Sequence, residues 1–373
     1  MTTKPNPVVA ERAARNRGRK VAVIGSGSWG TTFAKVLSDA GCEVTMWARR
    51  PEIANEIQVA KRNSQYLPGI NLPKSLNATS DMAEALAGAS LVFLAVPSQT
   101  LRQNLLDLEP HLGERSVLVS LVKGVEKTTT MRMSQVISDT LDLDPDRIAV
   151  VSGPNIALEI AKEQPTGAVA SCSSLAVAQE IATAASAPYF RTYVNTDVVG
   201  TELGGVLKNL IALAIGIVDG VGYGENTKAA IITRGLAEMT EFAIASGGET
   251  ATMSGLAGLG DLIATCQSPL SRNNTAGRLI GQGYSQEETR EQMQQVAEGI
   301  TSVAPVLELA RERGIVMPIV EQVQMVLEGT MAPKNLGPHL ATEDSVPQPE
   351  LSIAGQAPSR WRRLVNRMKG SQQ

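Results

Sequence analysis

Val21-Ala22-Val23-Ile24-Gly25-Ser26-Gly27-Ser28-Trp29-Gly30 sets an apolar, β-branched run directly against a G-x-G-x-x-G turn, and residues 31–40 continue with a helical pattern. In such a strand–turn–helix unit the first glycine permits the tight turn. The second lets a pyrophosphate approach the backbone, and the third lets helix and strand pack closely. The helix start then offers free N–H groups and a partial positive charge to phosphate. The same alternation continues outward. Residues 43–48, 91–96, 116–122 and 148–152 join 21–25 as buried strands, with 31–40 and 81–87 among the helices between them. Alternation of this kind means βαβ units and a doubly wound parallel sheet, a Rossmann-type α/β architecture. Stretches 166–171 and 190–194 read as edge strands.

After residue 197 the strand signals stop, and 201–218, 227–246, 286–298 and 303–313 read as helices between glycine-containing turns. The expected organisation is a basic, mobile arm over 1–19, carrying Arg12, Arg15, Arg17 and Arg19, and a dinucleotide-binding domain over 20–197. An all-helical substrate and catalytic domain over 198–335 and a Pro-rich tail over 336–373 follow.

Composition narrows the function. The 373 residues carry 34 Lys+Arg against 37 Asp+Glu, a formal net charge of −3, which argues against an electrostatic nucleic-acid binder. Three cysteines (Cys42, Cys172, Cys266) without a CxxC pair exclude a disulfide framework and a cysteine zinc site. The longest uninterrupted apolar run, 210–218, is too short to cross a membrane, and the first twenty residues lack a secretion signal, so a cytoplasmic location is expected. Only His111 and His339 are present, so acid–base chemistry falls to Lys, Asp or Glu.

Ligands of doubly wound sheets bind beyond the carboxyl ends of the strands. The second strand ends in Arg49-Arg50 with no carboxylate to hold the ribose hydroxyls of NAD. Two guanidinium groups suit the 2′-phosphate of NADP, with NADH tolerated, unless both are simply solvated. Other strand ends bring Lys123-Gly124 and Gly153-Pro154-Asn155: Lys123 could neutralise a phosphate or polarise a carbonyl, or be a surface cation. Lys208 interrupts an apolar helix, with Gly204 and Gly205 one turn before it. Glycines there cost the helix about 1 kcal/mol each relative to Ala, which signals close approach of a chain segment or ligand. A lysine in such a place is partly desolvated and its pKa falls toward the useful range, whereas one at the helix edge would snorkel out. The Gly-rich stretch Gly255-Leu256-Ala257-Gly258-Leu259-Gly260-Asp261 can bring Asp261 to the sheet edge. Ser271-Arg272-Asn273 offers a guanidinium fork and neutral donors to a phosphate, or Ser271 caps a helix, or both. Cys266 has no histidine to activate it and reads as a packing residue.

Together these motifs resemble the bacterial-type NAD(P)-dependent glycerol-3-phosphate dehydrogenase family. They are the 25–30 fingerprint, Lys123-Gly124-Val125-Glu126, Gly153-Pro154-Asn155, the stretches 202–209 and 226–235, Gly255 to Asp261 with Ser271-Arg272-Asn273, and Val296-Ala297-Glu298-Gly299. The resemblance spans about residues 20–330. It implies reversible reduction of dihydroxyacetone phosphate by NADPH, or NADH, to sn-glycerol 3-phosphate for glycerophospholipid synthesis. On matching positions it implies Lys208 as general acid/base, Lys123 as a second cation for substrate and cofactor, and Asp261 orienting the lysines. It implies Gly153, Asn155, Ser271, Arg272 and Asn273 on the substrate. The cofactor would be lined by Gly25, Gly27, Ser28, Trp29, Gly30, Arg49, Arg50, Ala157, Arg272, Val296 and Glu298. No metal is implied, since ammonium groups polarise the carbonyl. The alternatives are another lysine-using Rossmann reductase (ketopantoate reductase or a hydroxyacid dehydrogenase) and, in a different class, a non-catalytic NADPH sensor.

The two ends depart from the family pattern. In the tail, Trp361, Leu364, Val365 and Met368 share a helical face, and Arg360, Arg362, Arg363, Arg367 and Lys369 fill the other positions. Such a basic amphipathic helix suits weak contact with an anionic membrane surface through 358–370, docking on the enzyme, or no structure at all. A homodimer is the expected assembly.

Overall fold

Alternation of apolar strands with helices produces one eight-stranded sheet in the computed structural model, which describes residues 14–293 and 297–337. Its strands are β1 (Lys20–Ile24), β2 (Glu43–Trp47), β3 (Asn77–Thr79), β4 (Leu91–Leu94), β5 (Val117–Ser120), β6 (Ile148–Ser152), β7 (Thr166–Cys172) and β8 (Phe190–Asn195). They lie in the order β3-β2-β1-β4-β5-β6-β7-β8. All neighbours are parallel except β6 and β7. The chain leaves β1 in one direction to β2 and β3 and returns to its other side at β4, so β1 marks the switch point where such sheets bind ligands. Helices cover both faces. Beneath the first of them, Ser28–Asp39, Phe33 packs on Phe93 and Phe190 with ring centroids 5.1 and 6.0 Å apart.

Three sequence expectations are corrected. The 166–171 stretch is an interior strand, because β8 adds outside it; the edges are β8 and β3, and β3 has a single buried residue, Ala78, too few to register as an apolar run. The supposedly mobile stretch 1–19 is docked over its described part. Asn16 is fully buried and donates to the carbonyls of Ala40 and Thr183, and Arg19 pairs with Glu180. Residues 1–13 lie outside the described residues. The helix expected over 286–298 is two: Gln286–Gln292 ends at an extended Met293, and Glu298–Glu312 begins anew at Glu298.

Past the sheet, Asp197 caps the helix Val198–Val221 by accepting from the Gly200 N–H at 2.7 Å. This helix is long and apolar enough to cross a membrane, but 83% of its most apolar window is buried under Glu225–Ala245, Asp261–Gln267, Arg272–Gly281, Glu298–Glu312 and Pro318–Leu327. It is the core helix of a compact unit that ends at Gly337.

One buried ion pair ties this central helix to the sheet layer. Glu202 accepts from Arg132 at 2.7 Å, from the Ser134 hydroxyl at 2.6 Å and from the Ser134 N–H at 2.9 Å, at the start of helix Met133–Leu141. Glu202→Ala strands Arg132 without its counter-charge, and urea unfolding should show a loss of about 3–5 kcal/mol, with Glu202→Gln losing clearly less.

Candidate active site

The glycine turn after β1 has the geometry its spacing requires. Gly25 sits at φ +115°, and a Cβ there would lie 2.5 Å from the Ala95 carbonyl oxygen of the neighbouring strand end. Gly30 abuts the Gly25 carbonyl, so helix Ser28–Asp39 comes down onto the strand as only glycine allows. Gly27 has nothing among the described residues within 4 Å of its Cβ position: open space before a helix N-terminus, an arrangement that could hold a pyrophosphate. In the same helix start, Trp29 Nε1 is buried without a partner among the described residues. Ser28 donates to the Tyr66 carbonyl at 2.6 Å, and Thr32 donates to the carbonyl of Ala157.

At the end of β2, Arg49 is exposed, while Arg50 donates to Gln65 at 2.6 Å and the Tyr66 hydroxyl at 3.2 Å and lies over the Tyr66 ring. Tyr66 thus joins two of the expected cofactor residues. It comes from an irregular segment with no periodic signal, which is why the sequence reading passes over it.

The chemistry-bearing groups meet where β5, β6 and the central helix converge. A Cβ on Gly204 would strike the Ala257 carbonyl, and one on Gly205 would lie 2.7 Å from Ser152 Oγ and 3.4 Å from the Lys123 stem. The glycines before Lys208 therefore admit a chain segment, the π-helical turn Leu256–Gly260, which delivers Asp261 at the start of the next helix. Asp261, fully buried, accepts from Lys123 on Oδ2 at 2.8 Å and from Lys208 on Oδ1. Lys123 also donates to the Gly153 carbonyl at 3.2 Å, and Lys208 to Thr265 Oγ1 at 2.7 Å. Thr265 stands one helical turn after Asp261, a spacing that would have disclosed it had Asp261 been read on a helix. Burial, reinforced by the neighbouring Lys123 and opposed by the Asp261 carboxylate, lowers the Lys208 ammonium from the usual lysine value of 10.5 to about 7. Cys266 is a packing residue whose thiol burial pushes up to about 12.

Two polar side chains from the end of β6 and the turn after it have buried atoms with no partner among the described residues: both ends of the Asn155 amide, and Ser152 Oγ. Buried groups of this kind cost about 1–3 kcal/mol until something satisfies them, so they point to a ligand. On the opposite wall, Ser271 caps helix Arg272–Gly281 by accepting from the Asn274 N–H at 3.3 Å. Asn273 Oδ1 accepts from the Gly299 N–H at 2.9 Å. Burial pushes the Glu298 carboxyl up, with Arg272 and the Ser98 N–H pulling it back down. Two ammonium groups, a shared carboxylate, a guanidinium and a helix N-terminus around unsatisfied donors can bind an anion and move a proton at a carbonyl. Val296, also expected on the cofactor, lies outside the described residues.

Comparison with known proteins identifies the family. Family models described as NAD-dependent glycerol-3-phosphate dehydrogenase N-terminus and C-terminus match residues 20–178 and 197–337. A glycerol-3-phosphate dehydrogenase [NAD(P)+] of Leifsonia xyli subsp. xyli is 66% identical over 328 residues, covering 88% of this chain and 89% of its own. The crystal structure of glycerol-3-phosphate dehydrogenase from Coxiella burnetii is similar with a TM-score of 0.82 at 33% identity, over 87% of this chain and 99% of that one. A ketopantoate reductase from Ralstonia eutropha shares the fold alone, at a TM-score of 0.53 and 17% identity over 86% of this chain and 99% of that one.

The glycine geometry separates binding from folding. Gly27→Ala, with open space around it, should cost less than about 1 kcal/mol of stability yet abolish dinucleotide binding in a fluorescence titration. Gly30→Ala meets backbone and should itself destabilise by about 1–3 kcal/mol in thermal unfolding.

Proposed function

The chain belongs to the NAD-dependent glycerol-3-phosphate dehydrogenase family, and from that premise we propose how its residues divide the work. The reaction is the reversible, NAD(P)H-dependent reduction of dihydroxyacetone phosphate to sn-glycerol 3-phosphate, the backbone unit of glycerophospholipids. Lys208 is the general acid/base: its ammonium protonates the ketone oxygen during reduction, and its neutral amine takes the hydroxyl proton during oxidation. The observation that carries this role is the buried Lys208 Nζ held by Asp261 and Thr265, its pKa lowered into the working range. Lys123, held on the other oxygen of Asp261, adds positive charge against the developing alkoxide. Arg272, Ser271 and Asn273 hold the phosphate at their helix N-terminus, and Gly153 and Asn155 contact the substrate between the two ends.

NAD(P)H, when bound, supplies the hydride. The open Gly27 and the Trp29 Nε1 unsatisfied among the described residues support its fit, with Gly25, Gly30, Ser28, Arg49, Arg50, Lys123, Ala157, Arg272 and Glu298 as the residues that would hold it. Arg49 and Arg50 favour NADPH over NADH. The same reading assigns 20–197 to the dinucleotide and 198–335 to substrate and catalysis, in a cytoplasmic homodimer. Contact of 358–370 with an anionic membrane surface, and the 336–373 tail that contains it, rest on sequence alone, since residues beyond 337 lie outside those described.

Lys208→Ala should lower kcat by about 100- to 10,000-fold with dihydroxyacetone phosphate while leaving the NADPH Kd within a few-fold. In the native enzyme, reduction needs the ammonium and oxidation the amine. As pH rises through about 7, kcat/KM should therefore fall for dihydroxyacetone phosphate and rise for glycerol 3-phosphate, and parallel profiles in the two directions would remove Lys208 from this role. Arg49→Glu should raise the KM for NADPH about tenfold and leave that for NADH unchanged in steady-state kinetics.

A further inference from the structure

The central helix Val198–Val221 and the helix Arg272–Gly281 touch backbone to backbone. A Cβ on Gly216 would strike the Asn274 carbonyl, and one on Gly220 the Arg278 carbonyl. Reciprocally, a Cβ on Gly277 would strike the Leu213 carbonyl, and one on Gly281 that of Ile217. Each helix thus presents a G-x-x-x-G face to the other. The obstructing atoms are main-chain oxygens, which cannot rotate away as a side chain would. Position numbers rise together along the two helices, so they run parallel and in one register. Asp219 of the central helix clamps it, accepting from Arg278 at 3.0 Å, and Arg278 is itself steadied by Asn274 one turn earlier on its own helix, which accepts from it at 2.9 Å.

This register reaches the chemistry. Lys208 lies five residues before Leu213, and Arg272 five before Gly277, so each functional end projects about 7.5 Å of helix from the same glycine contact. At those ends the two helices remain neighbours: the Cβ position of Gly299 is 2.8 Å from Asn273 Oδ1 and 2.9 Å from the carbonyl oxygen of Asn209, the residue after Lys208. Packing through side chains would set helix axes 8–10 Å apart and allow adjustment; packing through glycine removes that freedom.

We propose that Gly216, Gly220, Gly277 and Gly281 are specificity-determining positioning residues, a rigid spacer that sets the distance from the Lys208 ammonium to the phosphate-holding helix N-terminus. That distance admits a ketone separated from its phosphate ester by one carbon. The inference rests on the assignment of Lys208 to the carbonyl and of Ser271, Arg272 and Asn273 to the phosphate.

The test compares dihydroxyacetone phosphate with its homologue one methylene longer, 4-hydroxy-3-oxobutyl phosphate, using full-length enzyme and NADPH. The wild type should prefer the shorter substrate by about 100-fold in kcat/KM, the cost of misplacing a reacting group by about an ångström. Gly277→Ala should raise the KM for dihydroxyacetone phosphate about tenfold or more and narrow that preference at least about fivefold, with the NADPH Kd unchanged. Gly235→Ala is the control: the three atoms nearest its Cβ position all belong to the Ile211 side chain, at a different contact of the same central helix, and it should leave the preference at the wild-type value. A wild type that takes both substrates within about tenfold overturns the spacer without any variant. So does a Gly277→Ala enzyme that loses both substrates by one common factor. Loss of the Lys208→Ala phenotype would instead sink the underlying site assignment, so the two failures are distinguishable.

Discussion

A single carboxylate, Asp261, is shared between the ammonium groups of Lys123 and Lys208, and the rest of the site is arranged around that sharing. Two like charges brought together away from water repel by several kcal/mol, and each loses hydration as well. The buried carboxylate between them offsets both costs while leaving the more deeply buried lysine with a lowered affinity for its proton. Neither lysine could hold this position alone. Lys123 arrives from the end of a sheet strand, Lys208 from the middle of an apolar helix and Asp261 from a helix start fifty-three residues later.

Glycine makes the meeting possible. Gly204 admits the turn that carries Asp261, Gly205 leaves room for Ser152 and the Lys123 stem, and a separate set of four brings helix Arg272–Gly281 against the same central helix. Each of these positions weakens intrinsic helix propensity, and the stability returns through backbone contact and through the burial of a long apolar helix on all sides. The central helix is therefore both the hydrophobic axis of the helical layer and the element that carries Lys208 to Asp261. Glu202 on the same helix anchors it to Arg132 and Ser134, so the sheet and the helical layer cannot shift independently without breaking a buried ion pair.

Much of this was legible in the residues taken in order. Strands with apolar residues on both faces and a glycine fingerprint between strand and helix have local signatures, so the strands β1, β2 and β4 to β6 appeared within a few residues of their observed ends. Two glycines beside a lone lysine in an apolar helix signalled a close approach, and one is there. The failures have physical causes too. β3 is three residues long with one buried side chain, below the length at which alternation can be recognised. β7 became an interior strand only because β8 pairs on its far side, which no property of 166–171 encodes. The described residues ahead of β1 looked unstructured because they are held by polar contacts, the Asn16 amide and the Arg19–Glu180 pair among them, rather than by an apolar face.

What the order of residues determined by itself is the Rossmann layer, its switch to helices after 197, and the set of charged residues available for chemistry, because periodicity, glycine turns and residue type are local properties. Only the tertiary structure decided which lysine loses its water, what fills the space beside Gly204, and how closely helix Arg272–Gly281 stands against the helix that carries that lysine. Those outcomes depend on the field and the backbone of segments fifty or more positions away, and a desolvation cost exists only once the chain has closed around the charge.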